Sequence, residues 1–342
     1  MWVVLVTENA ILKVEGLKKY FPLKRSVGEV LTRTPPKYVK AVDEIDFEVK
    51  KGETLGLVGE SGSGKTTTGR LITRLEDPTE GKILFKEKDI STLTKKELKH
   101  VRKEIQIIFQ DPLAALNPHM RIGEAVMHPL QIHNIGKDRS EKQKLVMEML
   151  ERVQLSPASE YYYRYPRDLS GGQRQRVVIA RALILKPTFV VADEAVAMLD
   201  VSVRSQLLQL MINLKNDFDL TYLFITHDLA TTKYICDRIA VMYLGKIVEV
   251  GNFEQIYTKP KHPYTQALIS AVPEPDPKSK KERIIPQGEV PNAVNIPTGC
   301  RFHPRCPYAK EICKIQEPTL KNVENQQVAC HLYDSEYEKS VI

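Results

Sequence analysis

The residues best suited to chemistry lie in a glycine-rich loop that follows the apolar segment Leu55 to Val58. The loop reads Gly59, Glu60, Ser61, Gly62, Ser63, Gly64, Lys65, Thr66 and Thr67. This order fits the G-x4-G-K-[ST] pattern, in which inward-pointing backbone N–H groups and the N-terminus of the next helix bind phosphate. The sequence therefore predicts a triphosphate site. Lys65 is expected to neutralise the β- and γ-phosphates and the Thr66 hydroxyl to bind Mg²⁺.

Two acidic residues follow a second apolar segment. Phe189 to Ala192 is a strand candidate, and Asp193 and Glu194 come directly after it. Ligands of open α/β sheets collect at the carboxyl ends of strands, so acids at this position can reach a bound phosphate. We expect Asp193 to hold Mg²⁺ and Glu194 to polarise the attacking water. An Asp-Glu pair is weak by itself, and it gains weight from the glycine-rich loop.

A third motif narrows the class of nucleotide-binding protein. Its residues are Leu169, Ser170, Gly171, Gly172, Gln173, Arg174, Gln175 and Arg176. They resemble the signature motif of the ATP-binding cassette (ABC) ATPases, in which the serine and glycine backbone at a helix start faces the γ-phosphate held by an opposite subunit. The resemblance implies that residues 170–173 complete the ATP site of a partner.

Two more positions match catalytic residues of the same family. Gln110 resembles the glutamine that contacts Mg²⁺ and links the nucleotide to a membrane-facing helical segment. His227 comes directly after the strand candidate Thr221 to Thr226 and resembles the switch histidine that contacts the γ-phosphate. The resemblance therefore adds Gln110 and His227 to Glu194 as catalytic candidates.

The family also suggests residues at the adenine and at the subunit interface. Phe21, or the neighbouring Tyr20, stands where ABC ATPases stack an aromatic ring on adenine. Asp200 stands in the segment that crosses the interface of the ATPase pair. Alanines at positions 195 and 197 replace the more frequent proline and serine, so a hydroxyl that could hydrogen-bond across that interface is absent.

Strands and helices must alternate to position these residues. Glu53 to Val58 and the two strand candidates already named read as buried strands, and a helix is predicted to begin near Val201. Apolar spacing between Arg121 and Val153 predicts a helical insert. Alternating strands and helices predict an α/β fold with a mainly parallel sheet. The resemblance makes this a P-loop NTPase fold of the ABC type: a RecA-like core sheet with a helical subdomain and an antiparallel β-subdomain.

The chain is predicted to have two parts. We expect the ABC nucleotide-binding domain at residues 10–258, with its helical subdomain at about 111–175, and a C-terminal extension at 259–342. Prolines recur beyond Gly251, which indicates a linker or an extended arm.

Four segments resemble the oligopeptide/dipeptide importer family within the ABC ATPases. They are an insert at Lys24 to Lys40, FQDPLAALNP at 109–118, HPYTQAL at 262–268 and GCRFHPRCP at 299–307. The resemblance implies an ATP-hydrolysing subunit of a peptide importer. Oligosaccharide is the main alternative cargo, and nickel a further one.

Four of the five cysteines lie in the extension, namely Cys300, Cys306, Cys313 and Cys330. Their C-x5-C-x6-C-x16-C spacing lacks the short C-x2-C pairs of most structural zinc sites. Four thiolates suit a [4Fe–4S] cluster or zinc, and the family resemblance favours the iron–sulfur cluster. Reduced, unliganded cysteines are the remaining alternative.

Composition limits the function classes further. The 342 residues are 42% hydrophobic and 27% charged, which predicts a globular protein. No apolar run is long enough to cross a bilayer. The net charge of +7 is spread among interleaved acids and bases, so we do not expect a nucleic-acid partner.

The family resemblance implies several partners. They are a second ABC ATPase subunit, two transmembrane permease subunits, and an extracellular or periplasmic solute-binding protein. The second ATPase is either a non-identical sister, which the insert and the FQDP segment favour, or a second copy of this chain. The expected location is peripheral, at the cytoplasmic face of the membrane. The rival hypothesis is a non-transport ABC ATPase acting on the ribosome or nucleic acid. Such relatives carry two ATPase units or long coiled coils, and neither is seen in this sequence.

Overall fold

The computed structural model describes residues 9–25, 32, 35–272 and 284–334, and the statements below refer to these residues. Part of the predicted insert at Lys24 to Lys40 lies outside them, as do three of the prolines beyond Gly251. Across the described part of the chain, no helix combines the length and apolarity that crossing a bilayer requires.

The described residues form twelve strands. They are β1 (Ala10–Pro22), β2 (Tyr38–Lys50), β3 (Thr54–Val58), β4 (Glu80–Phe85), β5 (Lys88–Asp89), β6 (Ile105–Ile108), β7 (Phe189–Asp193), β8 (Thr221–Thr226), β9 (Arg238–Tyr243), β10 (Lys246–Asn252), β11 (Lys321–Val323) and β12 (Gln326–Val328). The predictions of β3, β7 and β8 are confirmed to within one residue at each end. Every residue of these three strands is buried, which explains why they read as continuous apolar runs.

The helices lie mostly between these strands. They are α1 (Lys65–Ile72), α2 (Lys95–Glu104), α3 (Pro112–Ala115), α4 (Ile122–Ile132), α5 (Arg139–Arg152), α6 (Ala158–Tyr163), α7 (Gly171–Leu183), α8 (Val201–Phe218), α9 (Leu229–Ile235), α10 (Phe253–Thr258), α11 (Pro263–Ser270) and α12 (Glu311–Ile315). The predicted helix near Val201 is α8. The predicted helical insert corresponds to α4 and α5.

The chain divides into two compact units. The first contains the described residues up to Val49, Leu55–Ser91 and the chain from Thr226 onward, and the second contains Lys50–Thr54 and Thr92–Ile225. The C-terminal extension belongs to the first unit. The domain boundary expected between residues 258 and 259 stays a prediction.

The first unit contains an antiparallel sheet with the strand order β2-β1-β4-β5. It also contains strands in the order β11-β12-β10-β9-β3, of which β3 and β9 are parallel. The extension joins the strands that contain β9 and β3 because its strand β12 pairs with β10, placing Val250 opposite Gln327. Glu324 and Asn325 both have positive φ in the tight turn between β11 and β12.

The second unit carries the parallel strands β6, β7 and β8 in the order β8-β7-β6. The helices α2 to α8 belong to the same unit. Parallel neighbours place their carboxyl ends at one edge of the sheet, so the loops after β6 and β7 meet there.

An aromatic cluster anchors the extension within the first unit. The rings of Tyr243, Tyr264 and Phe302 are buried, with centroids 4.6 to 5.4 Å apart. Tyr243 ends β9, whereas Phe302 belongs to the extension. The extension therefore shares a core with β9.

A buried histidine begins α11 beside this cluster. The Nδ1 atom of His262 accepts a hydrogen bond from the Tyr264 N–H at 3.0 Å, and the His262 N–H donates to the Glu249 carboxylate at 3.0 Å. Burial lowers the pKa of His262 to about 3. The folded chain therefore keeps this ring neutral at a pH where an exposed histidine is protonated.

His262 should make stability depend on pH. Below about pH 6.5 the unfolded chain protonates this histidine whereas the folded chain does not. The free energy of unfolding therefore falls as the pH decreases toward the pKa of His262 in the folded chain. The variant His262→Asn keeps an N-cap oxygen acceptor but removes the titration. Across this window we expect the stability difference between the variant and the wild type to change by up to about 1.4 kcal/mol per pH unit, measured by urea unfolding. The exposed His119→Asn variant serves as control, and parallel pH profiles for wild type and His262→Asn would contradict the prediction.

Candidate functional site

The glycine-rich loop connects the end of β3 to the start of α1. The Lys65 side chain is buried, and its ammonium donates hydrogen bonds of 2.8 Å to the carbonyl oxygens of Gly59 and Glu60. The Ser63 N–H donates back to the Glu60 carbonyl at 3.2 Å. The loop is thus curled around the ammonium, with a helix N-terminus beginning at Lys65.

Gly64 shows why this curl demands glycine. Its φ is 106°, a conformation that residues with a side chain rarely adopt. A Cβ atom at this position would lie 2.1 Å from the Ala41 carbonyl oxygen. The close approach of residue 41 therefore excludes any larger residue at position 64.

The acidic residues lie at the carboxyl end of β7, in the second unit. Asp193 ends the strand and is buried. Glu194 has a φ of 48°, in the left-handed region, and its N–H donates to the Ile225 carbonyl at 2.9 Å. The Gln110 amide donates to the Glu194 carboxylate at 2.8 Å. The structure therefore brings two of the three catalytic candidates into direct contact.

The signature residues form the start of α7. The Ser170 hydroxyl accepts from the Gln173 N–H at 3.3 Å, and the Gln173 side chain accepts from the Ser170 N–H at 3.0 Å. This reciprocal capping fixes the first turn of the helix. Ser170 and Gly171 are exposed, so the free N-terminal turn can receive an anion from another molecule.

A cavity of about 160 Å³ in the second unit joins three of the predicted segments. Its lining includes Gln110, Gly171 and Leu199. Asp200, which follows Leu199, is exposed and precedes α8. The segment around Gln110, the signature helix and the start of α8 are thus neighbours.

The other predicted residues lie in the first unit. His227 is exposed and follows β8 directly, and Asp228 caps α9 by accepting from the Ala230 N–H at 2.9 Å. The Phe21 ring carries the Lys19 ammonium 4.8 Å from its centroid. The Tyr20 hydroxyl donates to the Asp43 carboxylate, and the Lys40 ammonium lies 5.4 Å from the centroid of the Tyr20 ring. Phe21, or less favourably Tyr20, stays the predicted stacking partner of adenine. Joint action of residues from the two units on one ATP remains a prediction.

Comparisons with known proteins agree with this geometry. Residues 42–197 match the family model described as ABC transporter, and residues 248–313 match the model described as oligopeptide/dipeptide transporter, C-terminal region. The oligopeptide transport ATP-binding protein AppF of Bacillus subtilis is 49% identical over 95% of this chain and 98% of its own length. This chain belongs to the ABC transporter ATP-binding family.

Other relatives of this ABC ATPase lead to the same family. A probable peptide ABC transporter ATP-binding protein, y4tS of Sinorhizobium fredii, is 46% identical over 95% of this chain and 90% of its own length. A solved dimer of the ATP-binding cassette MJ0796, in a post-hydrolysis state bound to ADP and Pi, is 29% identical. It matches with a TM-score of 0.61 and covers 71% of this chain and 98% of its own. The P-loop ABC ATPase fold predicted from the sequence is therefore confirmed.

The extension of this ABC ATPase brings the four tail cysteines near one another. Burial raises the pKa of Cys300 to about 11 and of Cys330 to about 12, and the neighbouring thiols add to both shifts. Each sulfur accepts at least one backbone N–H, from Phe302 and His303, Tyr308, Lys310 and Leu332 respectively. Among the described residues no group of three or more His, Cys, Asp or Glu side chains has the geometry of a closed metal site. The four thiols are therefore neighbours and not a preformed cage.

One set of contacts at the phosphate-binding loop was not predicted. The Arg305 guanidinium pairs with the Glu60 carboxylate, and the Glu60 N–H donates to the Tyr264 hydroxyl. The chain has 50 lysines and arginines and 43 acids, so charge alone cannot select this pair. The usable signal is that both partners stand inside recognisable motifs.

Gly172 should be necessary for packing as well as for ligand approach. A Cβ atom there would lie 2.6 Å from Cγ1 of Val203 in α8, whereas one at Gly171 would meet only Leu199 at 3.6 Å. We expect Gly172→Ala to lower the free energy of unfolding by about 1 to 3 kcal/mol through overpacking. Gly171→Ala is the matched control, with unchanged or slightly higher stability because alanine favours the helix. Urea unfolding of both variants tests this, and equal stabilities would contradict it.

Proposed function

We propose that this chain is the ATP-hydrolysing subunit of an ABC importer of di- and oligopeptides. The observation that carries the proposal is the match of residues 248–313 to the oligopeptide/dipeptide transporter C-terminal region, next to an ABC core. The names of the relatives AppF and y4tS, which refer to oligopeptide and peptide transport, support the same cargo.

The phosphate-binding loop supplies the grip on ATP. Its backbone N–H groups and the Lys65 ammonium bind the phosphates, with Phe21 as the stacking partner of adenine. Thr66, Gln110 and Asp193 offer the oxygen ligands that Mg²⁺ prefers, and their donor chemistry fits that ion. When bound, Mg²⁺ neutralises charge on the phosphates.

Glu194 acts as the base in this proposal. Its carboxylate takes a proton from the water that attacks the γ-phosphorus, and the bond from that phosphorus to the bridging oxygen of ADP breaks. Gln110 holds the carboxylate from one side through its amide at 2.8 Å. His227 contacts the γ-phosphate. Because positioning and charge stabilisation carry this reaction, the 2.8 Å contact is the central feature of the site.

A complete site requires a second ATPase subunit. The exposed first turn of α7, at residues 170–173, faces the γ-phosphate of the partner, and Asp200 lies at the same interface. The solved dimer of the related cassette MJ0796 supports this arrangement. We propose a non-identical sister as the partner, with two permease subunits and a solute-binding protein, at the cytoplasmic face of the membrane and without nucleic acid.

The variant Glu194→Gln tests both chemistry and cargo. Replacing the base with an amide should lower ATP turnover by about 10²- to 10⁴-fold while ATP binding is kept. Uptake of a labelled tripeptide by cells that depend on this chain should fall in parallel. Turnover is measured as phosphate release from the purified transporter.

The exposed helical residue Glu148 provides the control, since Glu148→Gln removes the same charge far from any predicted contact. Undiminished turnover in Glu194→Gln would contradict the assignment of the base. If uptake of an oligosaccharide or nickel depended on this chain and tripeptide uptake did not, the proposed peptide cargo would be contradicted. The proposed role as a transport ATPase would be unaffected. Co-purification with ribosomes in place of permease subunits would favour the non-transport alternative.

We further propose that the four tail cysteines hold a [4Fe–4S] cluster, with zinc as the alternative. Four neighbouring thiols with backbone N–H donors fit the ligand set of such a cluster, since those donors stabilise negative sulfur. Burial raises the pKa of Cys300, Cys306 and Cys330, so a bound metal is needed to keep these three as thiolates. The cluster would give the Cys-rich extension a cross-link that its short strands cannot provide.

Metal analysis of protein purified without oxygen tests the cluster. We expect about four iron atoms and four acid-labile sulfides per chain, with visible absorbance that Cys306→Ser abolishes. Cys236→Ala is the control because Cys236 is buried beside Gly56 of β3 and is not one of the four tail cysteines. One zinc per chain without sulfide would establish the alternative. If neither metal is found, the cysteines are reduced and unliganded, and the proposed cluster is contradicted.

A further inference from the structure

The C-terminal extension contacts the phosphate-binding loop at Glu60. The Arg305 guanidinium donates two hydrogen bonds to the Glu60 carboxylate, from Nη1 at 2.9 Å and from Nη2 at 3.2 Å. The Tyr264 hydroxyl accepts from the Glu60 backbone N–H at 2.8 Å. Tyr264 and Arg305 therefore hold the main chain and the side chain of Glu60, although they lie 204 and 245 positions further along the chain.

The opposite side of Glu60 belongs to the phosphate cradle. Its carbonyl oxygen accepts from the Lys65 ammonium at 2.8 Å and from the Ser63 N–H at 3.2 Å. Glu60 thus connects the extension to the two residues that shape the cradle. A shift of this carbonyl would move both of them.

Arg305 is itself buried beside aromatic rings. It is 8% exposed, and its guanidinium lies 5.9 Å from the ring centroids of both Tyr243 and Phe302. It ends a short 3₁₀ turn that begins at His303, between Cys300 and Cys306. A planar guanidinium between aromatic rings loses little freedom when it binds a carboxylate in two-pronged fashion.

The charge of Glu60 makes this contact relevant to affinity. A carboxylate within a loop that binds a triphosphate repels the ligand unless a cation neutralises it. Arg305 supplies that cation from the buried side of the loop. Without it, the free carboxylate could also compete with the phosphates for Lys65.

We infer that Arg305 is a positioning residue for the phosphate-binding loop, through which the extension sets the affinity of this chain for ATP. The inference rests on the proposed role of that loop in ATP binding. Arg305 acts on the nucleotide through Glu60 and not by direct contact.

A double-variant experiment on the full-length chain tests the inference. We expect Arg305→Met to weaken MgATP binding about tenfold, because the partner carboxylate is left uncompensated. Turnover at saturating ATP should change much less, so the effect appears in KM and not in kcat. In Glu60→Gln/Arg305→Met the stranded charge is gone, and the affinity should recover most of that loss. Binding is measured by titration with a fluorescent ATP analogue.

Two companions separate positioning from a general effect on the extension. Lys314→Met removes an exposed cation of the same extension, which pairs only with Glu311 among its described contacts, and should leave affinity unchanged. If Arg305→Met fails to fold, Arg305→Lys replaces it in the same paired comparison. The lysine keeps the positive charge but cannot donate the two parallel hydrogen bonds of the guanidinium, so we expect the affinity for MgATP to fall about threefold. A merely structural role predicts lower stability that Glu60→Gln does not rescue.

The inference is overturned if the Arg305 variant binds MgATP within twofold of wild type, or if the double variant binds no tighter than the single one. Failure of the proposed ATP site looks different. In that case the wild type itself would bind no MgATP, or Lys65→Met would bind it as well as the wild type does.

Discussion

An array of backbone N–H groups can bind a triphosphate only if the main chain stays curled in a conformation that ordinary residues avoid. In this protein the curl begins where a fully buried strand ends and closes around the Lys65 ammonium. Gly64 makes it possible, since the Ala41 carbonyl oxygen leaves no room for a side chain. The position of residue 41, the burial of β3 and the contacts of Glu60 all serve to hold this one stretch of backbone.

In the proposed mechanism, the second unit has to hold an acid in a fixed position. Glu194 follows a buried strand and adopts a left-handed backbone conformation that non-glycine residues rarely accept. Its N–H is tied to Ile225 of the neighbouring strand, and its carboxylate to Gln110. These two contacts compensate for the unfavourable backbone and leave the carboxylate one defined direction.

Sequence reasoning succeeded where the physical cause is local. Strands β3, β7 and β8 were predicted to within a residue at each end because complete burial produces uninterrupted apolar runs. The capping of α7 by Ser170 and Gln173 is likewise written in four consecutive residues. The pair Glu60 and Arg305 could not be found this way, because the two charges are 245 positions apart and meet only in the folded chain. For the same reason, the sequence did not show that the extension and the phosphate-binding loop belong to one compact unit.

Arg301 shows how far this integration goes. Its guanidinium donates hydrogen bonds to the Asp43 carboxylate and to the Leu244 carbonyl oxygen. The same carboxylate accepts a hydrogen bond from the Tyr20 hydroxyl. A tail with such ties is not an interchangeable module. Chimeras that graft this extension onto another cassette would have to carry its counterparts in β2, in the loop after β3 and at the end of β9 along with it. Recombination between sister transporters should accordingly preserve these distant segments as a set, although they are scattered along the gene.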